Sequence, residues 1–489
     1  MTSYINHALL KPETVAARPY QIDLAVDASQ KSTLVVIPTG LGKTIVAALV
    51  SMTRLAQGCI LLLAPTNPLL EQHVETLRRF FVDSVGVSIV NGSIKPEIRR
   101  QAFEKNANMH FIVGTPQSIA NDLRAGRINL TNVSLVIFDE AHHGVGKYDY
   151  TFIAGRYDQD RRHDALSLGI TASPGYDEEQ IRTICDNLHL VQVRYKSEQD
   201  DTVKPYVQDT PVEFVMVDQE PELVEASRLL YSMCAEALDE LGLPARTSKR
   251  EVLALQARAR ANQDRLSMFF LAKISKLQHA MMLADTQGPK PLLRYIDSLR
   301  ADKSKAAESI RRDYRIAKVW DLASAVRLGV KSETLVKLIV DQINSKPESK
   351  MLVFCSYRDV VDSVLEVLNL ASELATIKIA PGVLVGQTKG MSQKKQQEAL
   401  QKFRSGEINI LIATQVGEEG LDIPAVDLVI HYEPVSSGKR STQRDGRTGR
   451  NRPGLIKIIA TKKTMDEWML VNSYRNRKNM RSALKSLEV

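Results

Sequence analysis

The sequence predicts an α/β protein: two parallel-sheet domains with an all-helical insertion domain between them. Two series of strands, and the gap that separates them, carry the prediction. Up to about residue 200, short apolar runs alternate with helical stretches: "TLVVIP", "CILLLAP", "VSIVN", "HFIVGT", "SLVIFD" and "LSLGIT". Alternation of this kind lays helices on both faces of a parallel sheet. A second series follows residue 350, in "KMLVFCS", "GVLVGQ", "INILIAT", "LVIHYE" and "LIKIIAT". From about 222 to 328 the strand pattern vanishes and long stretches with helical spacing replace it, such as "REVLALQARARANQDRLSMFFLAKISKLQHAMMLA". Breaks at "GLPART" and "TQGPKP" divide this region into three main helices. The expected domains are residues 1–208, 209–330 and 331–489.

At 489 residues and 44% hydrophobic content, the chain is large enough to bury several cores. Its four cysteines, at 59, 185, 234 and 355, share no C-x-x-C spacing. Neither a zinc ribbon nor a disulfide framework is indicated, and the pattern fits buried thiols in a reducing cytoplasm. The N-terminal "MTSYINHALLKPETVAARPY" has no basic segment leading into an apolar one, and no run of eighteen apolar residues occurs, so neither secretion nor membrane spanning is supported. The net charge is +8, and its location is more informative than its size. Residues 246–318 hold seventeen Lys and Arg against seven Asp and Glu, an excess larger than that of the whole chain. The pull towards polyanions therefore belongs to the helical region.

"VVIPTGLGKT", residues 35–44, ends one strand and enters a helix. Gly40, Gly42, Lys43 and Thr44 supply what a phosphate loop needs: open backbone N–H groups at a helix N-terminus, an amine for the terminal phosphates and a hydroxyl for Mg²⁺. The loop Pro38, Thr39, Gly40, Leu41, Gly42, Lys43 and Thr44 is the candidate ATP-binding set. The first glycine of G-x-x-x-x-G-K-T is replaced by Ile37, and Pro38 with Gly40 is expected to shape the turn instead.

"VIFDEAHHGVGKYDY", residues 136–150, raises a metal question of its own. Zinc on a helix wants two His one turn apart, and the adjacent pair His142 and His143 is poorly placed for that. Acids at the carboxyl end of a buried parallel strand sit where α/β sheets bind ligands. Asp139, with Thr44, is therefore the candidate Mg²⁺ ligand, and Glu140 the group that orients or deprotonates the water attacking the γ-phosphate. His142 is expected to link nucleotide state to the rest of the chain and His143 to be exposed. In "RPYQ", Arg18 to Gln21, the Gln21 amide offers the donor and acceptor that an adenine edge requires.

The ordered set "PTGLGKT", "APTNPLLEQH", "VGTPQ", "DEAH", "TAS", "ATQVGEEGLDIP" and "QRDGRTGR" resembles the motifs of superfamily 2 helicases along nearly the whole chain. The resemblance implies two RecA-like domains with ATP and Mg²⁺ between them. Finer features, "GVGKYDY", "TASPG", "VGEEGLDIPAVDLVIHYEPV" and the helical insert, look like the archaeal Hef and Fanconi anaemia M-type branch, which remodels branched DNA. Carried over residue by residue, the resemblance places Gln443, Arg447 and Arg450 at the nucleotide from the second domain. It makes Glu419, Gly420 and Asp422 sensors of nucleotide and strand, and gives Thr171 and Ser173 the coupling of hydrolysis to movement. Thr66, Thr115, Thr414 and Arg358 become contacts to the nucleic-acid backbone. The nuclease signature G-D-x(n)-E-R-K-x-x-x-D found in Hef relatives does not occur, so no nuclease activity is expected of the chain.

The function expected is that of an ATP-dependent DNA motor acting on forked or four-way DNA. The insert would grip duplex through a subset of Arg246, Lys249, Arg250, Arg258, Arg260, Lys273 and Lys276. A duplex-RNA-stimulated ATPase of the Dicer or antiviral-sensor kind and an ATP-gated DNA scaffold are the alternatives. Expected partners are branched DNA, a sliding clamp, a single-strand-binding protein or a separate nuclease, at the nucleoid in the cytoplasm.

Overall fold

The computed structural model describes residues 3–104, 108–207, 211–374, 377–386, 391–414, 423–435 and 454–488. The first sheet comprises β1 (Thr33–Val36), β2 (Cys59–Leu63), β3 (Gly86–Val90), β4 (His110–Gly114), β5 (Val133–Asp139), β6 (Leu166–Thr171) and β7 (Gln192–Tyr195). They run parallel in the order β3-β4-β2-β5-β6-β1-β7. Strands β1, β2 and β5 are buried at every residue, as continuous apolar runs in a sheet covered on both faces must be. Because β6 lies between β5 and β1, the carboxyl ends of all three open on one edge. Asp139 pairs with Ile170 and Val36 with Thr171. This edge collects the chemistry.

The second sheet comprises β8 (Val212–Val217), β9 (Met351–Phe354), β10 (Pro381–Leu384), β11 (Ile410–Ala413), β12 (Leu428–His431) and β13 (Leu455–Thr461). It is parallel, in the order β10-β11-β9-β12-β13-β8. Strand β8 corrects the expectation that residues 209–330 are all helical. "VEFVMV" zips onto the free edge of β13 over six residue pairs, from a point more than 240 residues earlier in the chain.

The insert then runs through helices Pro221–Asp239, Lys249–Ala261, Arg265–Thr286, Pro289–Ala301, Lys305–Arg312 and Tyr314–Ala325 around one apolar core. Three main helices were expected. The extra breaks are made by capping side chains: Asp264, Ser304 and Asp313 each accept a backbone N–H from the first turn of the next helix. Gln263 turns the chain with φ of +55° just before the first of these caps.

A polar knot joins the insert to the second sheet. Glu220 Oε1 accepts the Val330 N–H at 2.6 Å, and Lys331 donates to the Thr286 carbonyl at 2.7 Å while pairing with Asp466. The last helix, Met465–Leu487, leaves this knot and ends in the first domain. There Ala483, Leu484 and Leu487 pack with Ile181, Ile184, Leu188 and Val193. The unit expected at 331–489 thus spans two cores. All four cysteines are buried free thiols. No helix among the described residues is long and apolar enough to cross a membrane.

Candidate active site

The phosphate loop follows β1. Gly40 and Gly42 take φ of +86° and +82°, the left-handed region where a β-carbon is costly. A β-carbon on Gly42 would also stand 2.4 Å from Gln21 Nε2. No side chain caps the helix Lys43–Met52 that starts here, and an uncapped helix N-terminus behind a glycine loop is a place where anionic oxygens bind. The missing first glycine has a structural reason. Ile37 is fully buried in the core and its N–H bonds the Thr171 carbonyl at 3.2 Å, so this position extends the sheet packing before the loop begins.

Lys43 Nζ lies 2.9 Å from Glu140 Oε1. His142 Nδ1 lies 3.3 Å from the other Glu140 oxygen and 3.1 Å from Thr171 Oγ1. Burial pushes the Glu140 carboxyl up, but the Lys43 ammonium and His142 outweigh it and hold the group well below the usual carboxylate range. Glu140 is kept ionised. Its φ of +48° is rare for a residue with a β-carbon and aims the carboxylate back over the loop's lysine.

Asp139 is buried beside this pair. Its Oδ1 accepts the Glu140 N–H at 3.0 Å, its Oδ2 lies 2.7 Å from His73 Nε2, and its carbonyl accepts the Tyr150 hydroxyl at 2.6 Å. One buried carboxylate near a phosphate cradle, with the Thr44 hydroxyl one residue into the helix, suits a cation that arrives on a nucleotide. Among the described residues, no group of three or more His, Cys, Asp or Glu is placed to hold a metal by itself. The two adjacent histidines lie side by side, with ring centroids 4.5 Å apart on a 3-10 turn. His143 is not simply exposed: it stacks on Tyr148 at 5.0 Å.

Gln21 packs against the phosphate loop. Its amide is fully buried, and Nε2 donates to the Leu41 carbonyl at 2.9 Å and to the Tyr20 hydroxyl at 3.2 Å. This amide braces the phosphate loop itself. Arg18 is half-buried, 4.9 Å from the centre of the Tyr206 ring. Tyr206, His73 and Tyr150 are site residues that motif reading missed. Tyr206 approaches from 188 residues away, and the other two stand inside recognised motifs at positions with no assigned role.

Thr66 and Thr115 come together, with Asn67, Gly92 and Tyr148, around an open groove of about 460 Å³. Thr115 donates to Ser118 Oγ at 2.9 Å, whereas the buried Thr66 hydroxyl makes no hydrogen bond among the described residues. Arg358 is exposed at the start of helix Arg358–Leu374, and Thr414 is half-buried after β11. Glu419, Gly420, Asp422, Gln443, Arg447 and Arg450 lie outside the described residues.

On the insert, Arg246, Lys249, Arg250, Arg258 and Arg260 are exposed and form no ion pair among the described residues. Lys273 is half-buried in the field of Glu236 and Asp313. Lys276 is already paired, its ammonium donating to Asp302 at 2.6 Å.

Against known proteins, the family described as DEAD/DEAH box helicase matches residues 18–181, and the helicase conserved C-terminal domain matches residues 330–452. The crystal structure of the Pyrococcus furiosus Hef helicase domain superposes with a TM-score of 0.69 at 38% identity, covering 93% of this chain and 98% of that one. A Methanocaldococcus jannaschii protein, provisionally named an ATP-dependent RNA helicase, is 34% identical over 503 residues, which is 99% of this chain and 63% of the relative. The ATP-dependent DNA helicase MPH1 of Pyricularia oryzae is 31% identical over 493 residues, which is 91% of this chain and 43% of the relative. This chain thus spans less than two thirds of these curated relatives. Helicase families matched on both sheets, and a Hef domain matched along almost its whole length, leave one assignment: the chain belongs to the superfamily 2 DEAD/DEAH-box helicases, in the Hef and Fanconi anaemia M-type branch, built on two RecA-like domains.

Proposed function

We propose that this chain is an ATP-dependent DNA helicase or translocase that remodels forked and branched DNA. The observation that carries the reading is the placement of Lys43, Glu140 and Asp139 at an uncapped helix N-terminus, with hydrogen bonds running from Asp139 to the residues behind the Thr66 and Thr115 groove. Lys43 meets the β and γ phosphates of ATP, which draws its ammonium off Glu140. The freed carboxylate, already ionised, orients the attacking water and accepts its proton. Thr44 and Asp139 would hold Mg²⁺, which would supply charge neutralisation for the phosphates. Arg447 and Arg450, with Gln443, complete the site from the second domain, so turnover needs the cleft closed. Thr66, Thr115, Thr414 and Arg358 hold the strand by its phosphates, which suits a motor moving over arbitrary sequence. The exposed insert cations grip duplex beside the junction.

The DNA helicase name of the Pyricularia oryzae relative supports DNA as the track, while the Methanocaldococcus jannaschii name points to RNA. ATP turnover compared on forked DNA, linear duplex DNA, single-stranded DNA and duplex RNA decides between them. The expected order puts the fork first. Stimulation by duplex RNA equal to or above that by the fork replaces this reading with an RNA-duplex ATPase, and absence of turnover on every substrate leaves a scaffold.

A further inference from the structure

Asp139 is held from two sides by residues whose elements begin at the groove. On one side, helix Asn67–Phe80 starts at Thr66, which lines the groove with Asn67. No side chain caps that helix, and Pro68 in its first turn carries no N–H, so Asn67 and Leu69 are the first-turn residues whose N–H groups could meet a strand phosphate in the groove. Two turns further on, about 10 Å along the axis, the same helix presents His73, which is 4% exposed, to Asp139 Oδ2 at 2.7 Å. On the other side, Tyr148 and Asp149 line the groove, and the hydroxyl of the next residue, Tyr150, donates its one hydrogen between the Asp139 carbonyl at 2.6 Å and the more distant Leu63 carbonyl at 3.1 Å.

An ionised carboxylate only accepts hydrogen bonds, so in that state His73 Nε2 carries the hydrogen that reaches Oδ2. The Glu140 N–H occupies Oδ1. With both oxygens held by donors, the plane of the Asp139 carboxylate is set jointly by the Glu140 N–H and the ring of His73. The other ring nitrogen, Nδ1, is buried with no hydrogen-bond partner among the described residues. The ring is therefore aimed by its single bond to Asp139 and by the helix that carries it. A shift of that helix, were strand binding to cause one, would reach the carboxylate through this bond.

We propose that His73 is a positioning residue: it orients Asp139 towards the nucleotide-bound metal and transmits occupancy of the Thr66–Asn67 groove to that acid. This rests on the ATP and DNA reading above. Outer-shell partners of this kind are worth about 10- to 100-fold in metal affinity when removed.

The test compares wild type, His73→Leu and His73→Gln, whose amide nitrogen reaches as far as Nε2. Mn²⁺ is titrated against protein and ADP by electron paramagnetic resonance, and turnover is measured with and without single-stranded DNA. In His73→Leu, Mn²⁺ affinity should fall about tenfold or more, and the ratio of DNA-stimulated to unstimulated turnover should drop towards one. DNA affinity should stay within about twofold. His73→Gln should restore both readouts. Should His73→Leu fail to fold, His73→Asn, too short to reach Oδ2, serves in its place. A folded variant with wild-type Mn²⁺ affinity and wild-type stimulation overturns the role of His73 alone. A wild-type chain with no DNA-stimulated turnover overturns the functional reading and this inference with it.

Discussion

The ammonium of Lys43 lies 2.9 Å from the carboxylate of Glu140, so the group expected to meet the phosphates and the group expected to meet the attacking water neutralise each other on one edge of the first sheet. Their substitutions should separate. Lys43→Ala removes the charge that meets the triphosphate and should weaken ATP binding. Glu140→Gln keeps the shape, frees Lys43 for nucleotide and removes only the base, so a fluorescent ATP analogue should still bind while turnover falls by about 10² or more. Near wild-type turnover in Glu140→Gln would show that this carboxylate is not the base.

Lys331 and Asp466 make a second prediction, concerning stability. Both side chains are nearly inaccessible, and Lys331 also holds the Thr286 carbonyl of the insert. Lys331→Met leaves a buried carboxylate without its cation, a loss on the order of 3 kcal/mol when one partner of a buried pair is removed. Urea unfolding should show the loss in the transition that includes β13, and a midpoint unchanged from wild type would mean that water already reaches the pair.

These two pairs differ in how far the sequence announced them. Lys43 and Glu140 each sit in a motif whose chemistry is local: glycines at left-handed positions before a helix, and acids at the end of a fully apolar strand. The sheet strands were legible for the same reason. Lys331 and Asp466 are 135 residues apart in unremarkable helical stretches, and nothing local distinguishes a buried lysine from an exposed one. Strand β8 escaped notice because "VEFVMV" is half exposed and short, and becomes a strand only by meeting β13. The insert's extra breaks at Asp264, Ser304 and Asp313 hide within polar stretches, since a capping Asp or Ser reads like any surface residue until its N–H partner is known. His73 was inside a recognised motif, yet motif reading assigned that stretch to strand contact and left the ring's Asp139 partner invisible. The second-domain arginines are read from "QRDGRTGR" alone.

Arg450 carries the third prediction. An arginine supplied across a cleft stabilises charge on the transferring phosphoryl group and contributes about 10³ to 10⁵ in rate. Arg450→Ala should cut DNA-stimulated turnover by about 10³ with a much smaller change in ATP affinity. Equal loss of binding and turnover would instead make this arginine a structural or ground-state contact.

The last prediction tests what the insert grips. Each phosphate neutralised by a cation releases a counterion, so a face using Z contacts gives a log–log salt slope near −0.9Z on duplex DNA. Lys276 drops out of the candidate set because Asp302 already holds it, and Lys273 sits half-buried near two acids. Arg246, Lys249, Arg250, Arg258 and Arg260 remain, around the start and end of helix Lys249–Ala261, exposed and without an ion pair among the described residues. Removing residues 246–318 altogether is the wrong experiment: Leu271, Ile274, Ala307 and Ile310 belong to the bundle core, and Thr286 accepts the Lys331 ammonium. Reversing Lys249, Arg250, Arg258 and Arg260 to Glu touches only the surface. If all four meet phosphates, the slope measured by titrating salt into a labelled-fork binding assay should become shallower by about 3 to 4, and preference for forks over linear single strands should collapse. Lys276→Glu is the control, which should lower stability and leave the slope within about one unit of wild type. A folded fourfold variant with wild-type slope and fork preference would make these helices a solvated bundle, and junction recognition would then belong to the two sheet domains.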